Sequence, residues 1–272
     1  MNEASLDRPL NERKIGEMEE RPHVIGRVAS LLRAIGEREP AGSTTSDLAR
    51  DVNLARPTVH RLLVALAAEG FVDRTGTTAR WKLGPEMYLL GSMAAERYDI
   101  TDSARGILRD LARDTGESAF LSARRGDETV CLAHEEGSFP LRSHVLHVGI
   151  RFPLGVASAG LVILAHLPDR EVDDYLGRAD LAPAWGPAHG VSPLRDRIGQ
   201  TRLDGYAVNP ALLVEGSWGM GAAVFDRRGH PAWALSLTGV ETRFSPSRRP
   251  MLGAKLLDAA HALGQRLTAT AV

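Results

Sequence analysis

An α+β fold in two units is what this sequence predicts, on three observations. Three stretches with helical apolar spacing are followed by two short extended runs within about 60 residues, and beyond about residue 100 strand-like and helix-like segments are mixed. The length, 272 residues, fits one large or two modest domains at roughly 100–200 residues each.

The elements follow in order. Residues 1–21 are polar and charged, with Glu17, Glu19 and Glu20 close together, and predict a disordered tail. Ile25, Val28, Leu31, Leu32 and Ile35 fall at helical spacing, and Gly36 ends that helix. Thr44, Thr45, Ser46 and Asp47 are candidate N-caps for a short helix through Leu48, Ala49 and Val52. Pro57 suits the first position of a third helix, where its missing N–H is not needed, and Gly70 is its C-cap glycine. Phe71–Arg74 and Arg80–Leu83 read as strands around the turn 75–78. Three helices and a hairpin describe a winged helix-turn-helix over 22–84. Met87, Leu89, Leu90 and Met93 predict a linker helix over 85–99, and residues 100–272 form the second domain. Within it, Ala104, Ile107, Leu108 and Leu111 mark a helix. Residues 119–122, 129–132, 221–225 and 233–237 read as strands. A segment from Leu154 to Leu167 passes from glycine-rich loop to buried helix, and a last helix runs from about Pro246 to Leu267.

Composition narrows the function classes. Lys+Arg is 33 and Asp+Glu is 34, a net charge of −1, which excludes a uniformly basic coat protein and an acidic disordered chain while leaving room for a local basic patch. The one cysteine, Cys131, excludes an intrachain disulfide and a cysteine-rich zinc site, and fits a reducing cytoplasm. The longest mostly apolar run has 14 residues, short of the ~20 a bilayer span needs, and no signal-peptide pattern opens the chain. A cytoplasmic location is expected, with no membrane partner.

Charge concentrates where a winged helix meets nucleic acid. Residues 54–84 carry Arg56, Arg61, Arg74, Arg80 and Lys82 against Glu69 and Asp73, a net +3. The third helix presents Arg56, Thr58, His60 and Arg61 in its first turns, where a recognition helix reads base edges; Arg61 suits guanine or phosphate. Thr45 from the preceding helix and Arg74, Thr77 and Arg80 from the hairpin complete the expected DNA-binding set, suited to backbone or minor-groove contact. The alternative is a winged helix that docks on protein.

These residues resemble a family. Ser46-Asp47-Leu48-Ala49-Arg50, then Ala55-Arg56-Pro57-Thr58-Val59-His60-Arg61-Leu62-Leu63, then Glu69-Gly70-Phe71-Val72, are similar to the IclR family of bacterial transcription regulators. Trp81-Lys82-Leu83-Gly84, Thr115-Gly116-Glu117-Ser118, the segment from Gly149 to Gly160 and Ser236-Leu237-Thr238-Gly239 resemble its later motifs in order and spacing, over about 22–268. The resemblance implies a GAF-like effector-binding domain, a small organic acid as effector, double-stranded promoter DNA as partner, and a homodimer, often a dimer of dimers. It implies no enzyme activity and no cofactor. The expected function is a one-component regulator, with repression relieved by ligand as first choice.

The glycine- and alanine-rich run Gly155–Gly160 precedes an apolar helix. Free N–H groups at a helix start make an anion site without a charged side chain, and a glycine-rich turn for close packing is the competing reading. The resemblance favours the first. By position it puts Ser158 and Ala159 amides on the carboxylate, with the Ser236 and Thr238 hydroxyls on one sheet face. Asn209 and Gly219 lie nearby, and Leu141, His144 and Phe152 form an apolar wall. Gly155 and Leu161 stand where the family often has histidine and lysine. With the small Gly219 they predict a roomier, less polar pocket that admits a larger or aromatic acid. His144 and His147, three apart, point to opposite faces of a strand, so no metal site is expected. Ser158 lacks the glycine two residues before it that a nucleophile elbow uses. Cys131, between Val130 and Leu132, reads as a buried inert thiol.

Overall fold

The computed structural model describes residues 23–75, 79–95, 100–143 and 145–269. The disordered-tail expectation for 1–21, and the site residues Thr77 and His144, lie outside the described residues. The chain forms two compact units, the second beginning at Ile100.

The first unit holds α1 (Val24–Gly36), α2 (Thr45–Asp51), α3 (Arg56–Ala68), β1 (Val72–Arg74), β2 (Trp81–Leu83) and α4 (Pro85–Ala95). One apolar stripe from each of the first three helices closes the core: Leu31 and Ile35 from α1, Leu48 from α2, Val59, Leu63 and Leu66 from α3, under Val72 and Trp81 of the antiparallel hairpin. Thr44 caps α2 by accepting from the Asp47 N–H at 3.2 Å. Gly70, at φ +75°, ends α3 in the left-handed conformation that glycine adopts without strain.

The second unit is a six-stranded antiparallel sheet, order β5-β4-β3-β8-β7-β6, built from β3 (Ser118–Arg125), β4 (Glu128–Glu135), β5 (Arg151–Pro153), β6 (Ala207–Pro210), β7 (Ser217–Phe225) and β8 (Pro231–Val240). α5 (Ile100–Thr115) and α10 (Arg249–Ala269) cover one face against Leu121, Met220, Ala222, Leu235 and Leu237. α6 (Ser158–Ala165) covers the other against Ala207, Ala223 and Ala234, backed by α7 (Asp169–Arg178), α8 (Ala182–Trp185) and α9 (Val191–Asp204). All eight residues of α6 are buried, which is why its sequence shows no amphipathic period.

Glu117, nearly fully buried, ties the α5–β3 junction to the start of α10. Its Oε1 accepts from Arg243 Nε at 2.8 Å and Arg248 Nη1 at 2.6 Å, and both guanidinium groups also donate to the Thr115 carbonyl. A buried carboxylate so shared is an anchor, because removing it leaves two cations without their carboxylate. The strands expected at 119–122, 129–132, 221–225 and 233–237 are present and longer than expected. β5, β6, α7, α8 and α9 were not foreseen, and the last helix begins at Arg249 rather than Pro246.

Candidate functional site

Two regions carry chemistry, one in each unit. In the first, α3 begins after Ala55, which offers no side-chain cap, with Pro57 in its first turn. Val59, Leu63 and Leu66 turn inward, so helical geometry leaves Arg56, His60 and Arg61 exposed and Thr58 half-buried. Among the described residues, Arg56, His60 and Arg61 make no hydrogen bond or ion pair, so their charge and donors face water. Others in the expected DNA-reading set are engaged. The Thr45 hydroxyl accepts from Trp81 Nε1 at 3.0 Å, joining α2 to the hairpin, and Arg80 Nη1 donates to the Gly42 carbonyl at 2.9 Å. Arg74 lies over the Trp81 ring at 5.5 Å. Thr45 and Arg80 thus shape the reading head, while the free cations sit together on α3.

The second region lies where α6 starts against the sheet. Strand register sets Ser118, Thr238, Gly219 and Asn209 in one row across β3, β8, β7 and β6. The next row is Phe120, Ser236, Gly221 and Ala207. Ser236 and Thr238 do share the α6 face of the sheet, and neither hydroxyl has a partner among the described residues. The glycines let α6 come down onto β7: a Cβ on Gly221 would lie 3.0 Å from the Ser158 carbonyl oxygen, and one on Gly219 would lie 3.2 Å from Ser158 Oγ. Leu161 N–H donates to Ala157 O, and the N–H groups of Ser158, Ala159 and Gly160 precede that first helical bond and have no backbone partner among the described residues. Ala157, as N-cap, contributes no side-chain cap.

A small cleft opens there, lined by Ala157, Ser158, Asn209, Gly219 and Thr238 with Val145, Leu146, Leu213, Ser217 and Trp218. Among the described residues no charged side chain lines it. Its free volume is about 20 Å³, room for roughly one water. The expectation of a roomier pocket is therefore corrected. The space left by Gly219 is taken by Ser158, and Gly155, at φ +85°, lies so close to α9 that a Cβ there would meet Leu194 at 2.9 Å. Leu161 is buried in the core rather than lining the cleft.

Four expected wall or anchor residues lie elsewhere. Leu141 is 64% exposed, in a loop that turns its side chain to solvent. Phe152 packs edge-on to Trp185, centroids 5.5 Å apart, inside the core. Ala159 keeps its N–H at the helix start but buries its methyl in that core. Ser236 sits one row deeper than the cleft lining. Asn209 lines the cleft, yet both ends of its amide are engaged: Nδ2 donates to Val156 O at 2.8 Å and Oδ1 accepts from Leu212 N–H at 3.1 Å.

A larger groove of about 430 Å³ adjoins the cleft, sharing Val145 and Ser217 and adding Arg142, Val214, Glu215 and Val240. Ser143 Oγ and Ser217 Oγ, 2.6 Å apart, form a hydrogen bond at the shared edge. Neither serine carried a signal in the sequence, because the Ser143 loop and the start of β7 meet only in the fold; Trp218, which the sequence leaves open between core and pocket, lies beneath Arg249 at 5.1 Å and lines the cleft.

Cys131 is buried in the α6-side core, and burial pushes its thiol up to about 12. Among the described residues no group of histidine, cysteine and carboxylates is arranged to hold a metal. No described helix is long and apolar enough to cross a membrane.

The comparisons with known proteins bear on both regions. The family profile for the bacterial transcriptional regulator IclR C-terminal domain matches residues 92–265, and that for the IclR helix-turn-helix domain matches residues 24–76. The acetate operon repressor of Salmonella typhimurium is 29% identical over 245 residues, covering 87% of this chain and 89% of that protein. The crystal structure of the Thermotoga maritima IclR aligns with a TM-score of 0.68 at 26% identity, over 89% of this chain and 98% of the other. An IclR homologue from Microbacterium hydrocarbonoxydans, crystallised with 4-hydroxybenzoate, shares the fold at 23% identity and a TM-score of 0.69, over 89% and 98%. With exposed cations on a recognition helix in one unit, an uncharged helix-start cleft in the other, and matches spanning both, the chain belongs to the IclR family of bacterial transcriptional regulators.

Proposed function

We propose that this regulator represses from a promoter site and releases it when a small organic acid binds at the start of α6. One observation carries the acid reading: the helix start at 158–160, whose N–H groups have no backbone partner among the described residues, adjoins through Ala157 and Ser158 a small cleft that also holds the buried Thr238 hydroxyl, likewise without a partner among the described residues. Neutral donors converging on a dry site suit a carboxylate, with the helix dipole adding to them. The repressor named for Salmonella and the 4-hydroxybenzoate complex support the sign of control and the ligand class.

The cleft is too small for an aromatic acid as it stands. Entry requires the loops carrying Ser143 and Ser217 to part, joining the cleft to the outer groove. The acid then acts by binding the parted arrangement better than the closed one, and a coupling of about 1–3 kcal/mol changes operator affinity roughly 5–150-fold.

On the DNA side, Arg56, Thr58, His60 and Arg61 read the site, and Arg74 and Thr77 meet the backbone. Tyr88, Leu89, Leu90 and Met93 of α4 are exposed, an apolar set that supports a homodimer with two reading heads. We place the protein in the cytoplasm with its DNA. The test is fluorescence anisotropy on DNA from upstream of its own gene, with a carboxylic acid panel. Selective, salt-sensitive binding that an acid reverses is the expected result; selective binding that no acid alters removes the effector half.

A further inference from the structure

We infer that Arg197, on a helix outside the cleft lining, is a positioning residue that supplies the counter-charge for acid binding from behind the loop. The inference rests on the acid-binding reading above. Three successive carbonyls lead into α6, and each is taken by a side chain from a different element. Tyr175 Oη donates to Leu154 O at 2.8 Å, Arg197 Nη2 to Gly155 O at 3.2 Å, and Asn209 Nδ2 to Val156 O at 2.8 Å. Holding these three carbonyls fixes the peptide planes from residue 154 to residue 157, and with them the point at which the chain enters α6 and presents the N–H groups of 158–160. A helix start held in place needs less reordering when an anion arrives.

Arg197 differs from its two companions in carrying charge. The same Nη2 also donates to Ala188 O at 3.2 Å, while Nε and Nη1 are buried with no partner among the described residues. No carboxylate pairs with it there. Burial draws the guanidinium down to about 10, so it stays protonated at neutral pH. His189, whose Nε2 lies 3.3 Å from Val156 O, is held below its usual range by burial and by Arg197. Among the described residues, Arg197 is the one arginine or lysine bonded to this loop. A buried cation lacking an anion is costly by itself. An acid bound at the helix start that this loop leads into relieves that cost, since charges act at longer range where water is excluded.

The experiment is calorimetric titration of the full chain with 4-hydroxybenzoate and with its neutral counterpart 4-hydroxybenzamide, in wild type, Arg197→Gln and Arg197→Lys. Hydrogen exchange of residues 155–161 without added acid accompanies it. Arg197→Gln is expected to weaken the acid at least tenfold and the amide no more than twofold. Arg197→Lys, keeping the charge, recovers most of the acid affinity, and exchange at 155–161 accelerates in Arg197→Gln. Equal losses for acid and amide, unchanged acid affinity, or no recovery by lysine would overturn the inference. Wild type that binds neither 4-hydroxybenzoate, benzoate nor acetate would instead sink the acid reading and the inference with it, a failure visible before any variant is made.

Discussion

The exposed face of α3 and the cleft at the start of α6 offer anions opposite means of recognition. On α3, Arg56 and Arg61 stand exposed and unpaired among the described residues, and their charge is available to phosphate at long range. Among the described residues no cation lines the cleft; it is built from the helix start of α6, a Thr238 hydroxyl without a partner among those residues, and the closeness of α6 to two glycines of β7. An exposed site uses charge because water screens everything weaker. A buried site works with neutral dipoles because desolvating a charged side chain costs more than aligning a peptide.

If the Glu117 carboxylate is structural, its removal shows in unfolding and not in recognition. Glu117→Ala is expected to lower the stability of the second unit by about 3–5 kcal/mol, since it strips Arg243 and Arg248 of their carboxylate. Urea unfolding checks this; an unchanged midpoint would mean the pair contributes nothing. Next is the packing of the cleft. Gly221→Val puts branched carbon against the Ser158 carbonyl, for a loss of about 1–3 kcal/mol, and a weakened acid response with operator binding kept. A variant as stable as wild type would show that α6 shifts freely.

On the exposed side, Arg61→Ala is expected to leave stability unchanged while weakening operator binding by about 1–3 kcal/mol if it reads a base. A uniform loss across DNA sequences would make it a phosphate contact instead. The smallest effect is at Cys131. The fold favours its neutral thiol, so this contribution to stability is whole below pH 9, the ordinary thiol value, and is lost as pH climbs through about 12. Iodoacetamide at pH 8 is expected to leave Cys131 unmodified until urea unfolds the domain, and rapid labelling of the native protein would contradict its burial.

Legibility followed the same division. The winged helix was readable because its signals are local: Pro57 opens α3, Gly70 closes it, and apolar spacing turns Arg61 outward. Thr45 of α2 and Arg80 beside the hairpin were read as DNA contacts because nothing in the sequence shows that Trp81 and Gly42 come to meet them. In the second unit, Ser236 and Thr238 were placed on one face by period two, and the start of α6 by its glycines. The cleft's size was misjudged, because a glycine in sequence looks like missing volume while in the fold it marks where a neighbour approaches. Tyr175, His189 and Arg197 were invisible, since each reaches the loop across tens of residues from a helix or turn that carries no motif.

The central claim is that the two regions are coupled yet separable, and one measurement tests it most directly. Anisotropy of upstream DNA is followed during acid titration, for wild type and for Thr238→Val, which removes a buried hydroxyl that has no partner among the described residues. The account predicts equal operator affinity without acid, release of wild type by acid, and release of Thr238→Val only at severalfold higher acid concentration. Identical release curves would contradict it.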